Sequence, residues 1–197
     1  YRGSTKEHSD PLMRTYLEDL IYRLSETSEV RDRRFEFIIL EDKTINAFAA
    51  PGGIIGINLG MFLNTEREGE LASVMCHELA HLSQRHFARS QNRNSPLANA
   101  LMILGSIAVA AASRNPEAIL IAPAAMQQMS INYTRSNEKE ADRIGFNNLV
   151  KAGFDPNDMT MMFQRMQDKY QNEDSEQFSY LMTHPLPSER LTDMRIR

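Results

Sequence analysis

The chain has one cysteine, no tryptophan, no surplus of positive charge and no long apolar run, and each shortage closes off a class of protein. A single thiol, Cys76, excludes an internal disulfide, an absence compatible with either cytosol or periplasm. Cys76 directly precedes His77 and therefore points elsewhere on a helix, as a small buried residue and not as a metal ligand. The net charge of -4, with a pI near 5.8, gives no nucleic-acid surface. Arg31, Arg33 and Arg34 read as a solvated link between a helix and a strand. The longest apolar stretch, Leu97 to Ala112, contains Asn99 and Ser106 and falls short of the roughly 20 residues that span a bilayer, so no transmembrane segment is expected. The polar opening from Tyr1 to Asp10 carries no signal-peptide pattern. Neither repeats nor low-complexity tracts occur, and 197 residues suit one packed domain, 1–197.

Periodicity supplies the elements. Asp10-Pro11 opens a helix to about Glu26, with Leu12, Tyr16, Leu17, Leu20, Ile21 and Leu24 as its apolar stripe. Phe35 to Leu40, Asn46 to Ala50 and Ile54 to Leu59 read as strands, the last two joined at Pro51-Gly52-Gly53. A buried helix runs through Leu71 to Leu82, and Thr65 with Glu68 fits a capping box ahead of it. Ser90 to Pro96 reads as a loop, Leu97 to Ala112 as a helix lying over the site or on a lipid surface, and Asn115-Pro116 as another start. Pro123 is expected to interrupt or restart the next segment, which then runs from Ala124 to about Ala152 and closes at Gly153. A helix follows Asp155-Pro156 to about Tyr170, Asn172 to Gln177 is expected to be mobile, and a short helix follows Pro187. The methionines Met159, Met161, Met162 and Met166 suit a core, or an adaptable binding surface. The class is α+β, mostly helical, with a short three-stranded antiparallel or mixed sheet packed on the central helix.

That central helix carries His77-Glu78-Leu79-Ala80-His81. Two imidazoles four residues apart stand on one helical face, where both reach a single zinc ion. Glu78 points about 100° away from His77, free of the metal yet able to touch a water bound there. Such a pattern arises by chance in roughly one chain in a hundred of this composition, so its setting matters. Three titratable side chains in an apolar helix need partners, and a metal with its water provides them. A catalytic zinc has a third protein ligand. In Asn137-Glu138-Lys139-Glu140-Ala141-Asp142, Glu138 and Asp142 share a face with Gly145 and Leu149, while Lys139 and Glu140 point away. Glu138 is the expected ligand, Asp142 the group that holds a ligating imidazole from behind, and Gly145 the point of close helix approach. The alternative is a solvated charge run.

The motifs HELAH, NEKEAD and His184-Pro185-Leu186-Pro187-Ser188-Glu189-Arg190, in that order and with NAFAAPGG ahead of them, resemble the zinc metallopeptidases that include HtpX and the CAAX prenyl endopeptidases. Ser83-Gln84-Arg85-His86 and THPLPSER bring the chain nearest to the BepA-like periplasmic branch. The resemblance implies one zinc ion, Glu138 as its glutamate ligand and Asp142 behind it. It further implies His184 as a histidine able to reach the metal and hold the site latent, and Arg190 as an arginine near the substrate carbonyl. A periplasmic setting, unfolded or misassembled protein substrates and outer-membrane assembly machinery as partner follow from the same source. Cys76 stands where that family has a smaller residue.

The chemistry expected is endoproteolysis with Glu78 as general base. Asn46, Ala47, Phe48 and Ala49 form a strand that can pair with an extended substrate, though Phe48 equally suits the core. Two rivals remain open: a zinc-stabilised chaperone-like or binding domain with an occluded site, and a helical domain without metal.

Overall fold

A computed structural model describes residues 6–86, 89, 118–172, 179–186 and 188–196. Helix α1, Pro11–Thr27, begins where expected because the Asp10 carboxylate accepts the Leu12 and Met13 amides at 2.8 and 3.4 Å and Pro11 needs no partner for its nitrogen. Leu17, Leu20, Ile21 and Leu24 bury its inner face.

Strands β1 (Glu36–Leu40), β2 (Ala47–Ala50) and β3 (Ile54–Asn58) form one mixed sheet in the order β1-β3-β2. β1 runs parallel to β3, and β2 antiparallel to it, with Phe48 opposite Gly56. The turn between β2 and β3 uses Gly52 and Gly53 at φ 93° and 82°, conformations that side chains resist. β2 lies at the edge, so half of its peptide groups face outward. Leu59, expected to end the third strand, instead opens the short helix α2, Leu59–Leu63.

Helix α3, Glu68–Ser83, buries every residue from Gly69 to Ala80. The capping box expected from Thr65 and Glu68 does not form. The N-cap is Arg67, and the Thr65 hydroxyl donates to the Phe62 carbonyl at 3.0 Å. Glu70 takes over by accepting the Glu66 amide at 2.7 Å, while Arg165 donates to its other oxygen at 2.8 Å. Helix α4, Ala118–Lys151, packs along α3. It passes straight through Pro123, contrary to expectation. Pro123 lies in the second turn, where its missing amide costs one hydrogen bond near the helix end. Gly153, at φ 85°, ends the segment.

Helices α5 (Asn157–Asn172), α6 (Ser179–Thr183) and α7 (Ser188–Ile196) complete the described elements. Met159, Met162 and Met166 are core residues of α5, whereas Met161 is exposed. The expectations for 90–96, 97–112, 115–116 and 173–177 lie outside the described residues. No helix among the described residues is long and apolar enough to cross a membrane.

Candidate metal centre

His77 and His81, one turn apart on α3, point their Nε2 atoms into the same space, 2.9 Å from each other. Glu138 of α4 faces them, Oε2 lying 3.3 Å from His77 Nε2 and Oε1 3.3 Å from His81 Nε2. His184, just beyond α6, brings Nδ1 to 3.2 Å from both Glu138 oxygens. One donor atom from each of these four residues lies within 4.8 Å of every other. Tetrahedral donors at about 2.0–2.1 Å from a zinc ion stand roughly 3.3 Å apart, the spacing found between Glu138 and each α3 imidazole. The donor set fits such an ion: imidazoles and a carboxylate, converging and shielded, suit zinc and related divalent metals.

The electrostatics make the same demand. Burial opposes charge on His77, but Asp142 and Glu138 outweigh it and hold its pKa up at about 9. Burial likewise opposes charge on Glu138, yet His184, His77 and His81 keep its carboxyl far below the usual range. His81 is pushed down, chiefly by burial. The pocket therefore draws in positive charge where the four donors meet.

The close approach of α3 and α4 rests on Gly145, where a Cβ would lie 3.0 Å from the His77 amide nitrogen. Asp142, one turn before it, places Oδ1 3.0 Å from His77 Nδ1, although obliquely to the ring N–H direction. Arg190 of α7 donates to both Asp142 oxygens at 2.7 Å and to the Pro185 carbonyl at 2.6 Å, and forms an ion pair with Glu138 at 2.9 Å. It is 2% exposed. Arg190, expected beside a substrate carbonyl, has all three guanidinium nitrogens engaged with Asp142 and the Pro185 carbonyl and is not among the residues lining the cleft beside Glu78. Cys76 is buried on the far side, against Asn148 Nδ2 at 3.4 Å, and burial pushes its thiol pKa up.

Glu78 stands at the cleft floor with both oxygens engaged. Oε2 accepts the Ala49 amide at 3.2 Å and Oε1 the Tyr180 hydroxyl at 3.1 Å, while His184 Nε2 lies 3.5 Å from Oε1. Burial, with Glu78 nearby, raises the Tyr180 pKa well above its ordinary value, so the phenol remains a donor. The Asn58 amide donates to the Asn46 carbonyl at 3.0 Å. Antiparallel alternation then turns the peptide groups of Ala47 and Ala49 away from β3, where Ala47 is fully buried and the Ala49 amide is held by Glu78. Asn46, Phe48 and Ala49 line a cleft of about 1420 Å³ together with Glu78, His81, Glu138 and His184. Ala47 is not among the lining residues, and its side chain is fully buried. The Phe48 ring covers Gly56 on the neighbouring strand.

Two residues escaped the sequence reading. Tyr180 stacks on His184 with ring centroids 4.6 Å apart, an i,i+4 relation that the sequence does display. His86 reaches His81 at 2.8 Å and Glu140 at 2.9 Å from a turn beyond α3, where helical spacing gives no signal. Glu140, expected to point away, is thereby drawn to the back of the site.

Known proteins resemble this chain in sequence. A Vibrio cholerae relative, provisionally named a beta-barrel assembly-enhancing protease, is 45% identical over 194 residues, covering 96% of this chain and 40% of its own length. The beta-barrel assembly-enhancing protease of Escherichia coli K12 is 39% identical over 205 residues, 100% of this chain and 41% of its own. The mitochondrial metalloendopeptidase OMA1 of Schizosaccharomyces pombe is 27% identical over 197 residues, 97% of this chain and 56% of its own. The chain thus spans about two fifths of the length of the bacterial relatives. The sequence profile of peptidase family M48 matches residues 11–197, a span that includes all four donors; the chain belongs to that family as a metallopeptidase domain.

Proposed function

We propose that this chain is a zinc metalloendopeptidase domain that hydrolyses peptide bonds with Glu78 as general base, His77, His81 and Glu138 serving as metal ligands. The observation that carries this reading is a carboxylate held on two sides within a cleft, beside three converging donors. Bound zinc would supply Lewis acidity, polarising the scissile carbonyl and easing deprotonation of water.

The remaining steps belong to the chain. Glu78 takes the proton of the attacking water and later returns it to the leaving amine. The Ala49 amide and the Tyr180 hydroxyl hold that carboxylate in place, which lowers the entropic cost of the transfer. With the Ala49 amide held by Glu78, the Ala49 carbonyl is the group of β2 left for an extended substrate to pair with, while Asn46 and Phe48 shape the neighbouring pockets. Asp142 orients His77, and Arg190 keeps Asp142 and Glu138 ionised at a buried position.

The relatives' names place two of them in beta-barrel assembly, and from them we take misfolded or misassembled envelope proteins as substrates, the outer-membrane assembly machinery as partner and the periplasm as compartment. His184 supports a latent form of the same site, because its Nδ1 meets both Glu138 oxygens. A fourth protein donor closes the metal, and turnover then requires the segment after α6 to move. His184→Ala keeps zinc and preserves or raises cleavage on this account; complete loss of activity argues against an inhibitory role.

Glu78→Gln separates the enzyme from a chaperone-like domain with an occluded site. The variant keeps its zinc and stops cleaving casein. Unchanged cleavage defeats the proposal.

A further inference from the structure

We propose that His86 is a positioning residue of the metal centre, fixing the tautomer and ring plane of His81 and tying that ligand to Glu140. The inference rests on the reading of His77, His81 and Glu138 as metal ligands.

The protonation of the line is set by which nitrogen of His81 is free. Its Nε2 faces Glu138 and His77, so the lone pair needed for a metal lies there. The ring proton must then sit on Nδ1, which is 2.8 Å from His86 Nδ1. For that contact to be a hydrogen bond, His86 Nδ1 must accept. The proton of His86 therefore resides on Nε2, which donates to Glu140 Oε2 at 2.9 Å. Every proton in the line is thus assigned by one requirement, a bare Nε2 on His81.

The setting supports a built relay. His86 is 4% exposed, although it follows the end of α3 on the polar side of the cleft. Arg85 adopts φ 52°, an uncommon conformation for a residue with a side chain, at the turn that returns His86 toward His81. The two rings meet edge to face at 75°, with centroids 4.9 Å apart. Arg89 lies 3.4 Å from Glu140 and donates to the Gln84 carbonyl at 2.6 Å, which anchors the far end of the line to the last turn of α3.

His77 has a shorter, less well aligned version of the same device, since Asp142 Oδ1 lies 3.0 Å from its Nδ1 though oblique to the N–H direction. One stretch of α4 consequently supplies a metal ligand, Glu138, and the acceptors behind both α3 histidines, Asp142 and Glu140. An imidazole backed by a carboxylate is a stronger donor and is held in one orientation, and losing such backing typically weakens metal binding about 10–100-fold.

Zinc affinity, measured by competition with a chromophoric chelator, tests the relay on the parent protein, His86→Ala, His86→Gln, Glu140→Gln and the double variant His86→Ala/Glu140→Gln. His86→Ala should weaken binding about 10–100-fold. His86→Gln should recover most of that loss, because its amide accepts from His81 and donates to Glu140. Glu140→Gln should weaken binding in the parent and add nothing once His86 is alanine. The visible spectrum of the cobalt-substituted protein should shift in His86→Ala and return in His86→Gln. Affinity of His86→Ala within about twofold of the parent would overturn the proposal, as would equal losses from Glu140→Gln with and without His86. Should His86→Ala fail to fold, Glu140→Gln against His86→Gln decides: loss in the first and retention in the second supports the relay, and the reverse refutes it. A parent that binds no zinc sinks the metal reading itself, an outcome distinct from a parent that binds tightly alongside an unaffected His86→Ala.

Discussion

Adding one methyl group at Gly145 should loosen the metal centre from a distance. An alanine Cβ there would lie 3.0 Å from the His77 amide nitrogen, 3.1 Å from the Cys76 carbonyl carbon and 3.1 Å from the His77 Cα. Ordinary carbon contacts fall at about 3.5–4.0 Å, so α4 must back away from α3 by about half an ångström. All three neighbours are backbone atoms of a helix buried nearly all round, which leaves little room to yield. Alanine gains about 1 kcal/mol in helix propensity over glycine. Overpacking a tight core costs about 1–3 kcal/mol, and the rigid backbone on both sides argues for the upper end. A net loss of about 2 kcal/mol lowers Tm by about 4–8 °C for a chain of this size. Glu138 sits two helical turns before Gly145, about 10 Å along α4, and moves with it. Zinc affinity should therefore fall by at least about tenfold, the size expected when a ligand loses its alignment. Calorimetry gives the Tm, and chelator competition the affinity. A Gly145→Ala protein that melts at or above the parent temperature and binds zinc equally well would refute the reasoning.

Two further perturbations probe the buried charges. Arg190→Met removes the cation between Asp142 and Glu138 and leaves two carboxylates without their partner, at a cost of about 3–5 kcal/mol; denaturant titration with unchanged stability would count against that role. In the chelator-treated protein, His77 has a pKa of about 9 against about 6.5 when unfolded, so its contribution is complete below about pH 6.5 and lost as pH rises through 9. The metal-free Tm should fall between about pH 6.5 and pH 9.5, and a flat or rising Tm over that window would contradict the charge arrangement.

What the sequence revealed depended on local rules. His77, Glu78 and His81 were legible because helical spacing alone fixes their faces, and Glu138, Asp142 and Gly145 because the same rule applies to α4. Arg190 was placed from resemblance and its neighbourhood was reached, but its direction depends on how α7 packs against carboxylates 48 and 52 residues earlier in the chain. His86 lay beyond the end of a helix, in a turn set by a left-handed Arg85, where periodicity carries no information. The capping box failed because α3 starts two residues later than Thr65 requires, with Arg67 at the N-cap and the Thr65 hydroxyl turned back to Phe62. Pro123 misled for the opposite reason: the rule that proline breaks helices weakens near their first turns.

Anomalous diffraction at the zinc edge from crystals of the purified protein bears most directly on the central claim. The account predicts a single strong peak about 2.0–2.2 Å from Nε2 of His77, Nε2 of His81 and a carboxylate oxygen of Glu138. A zinc peak elsewhere, or a zinc-saturated protein with no peak between those three side chains, would contradict it.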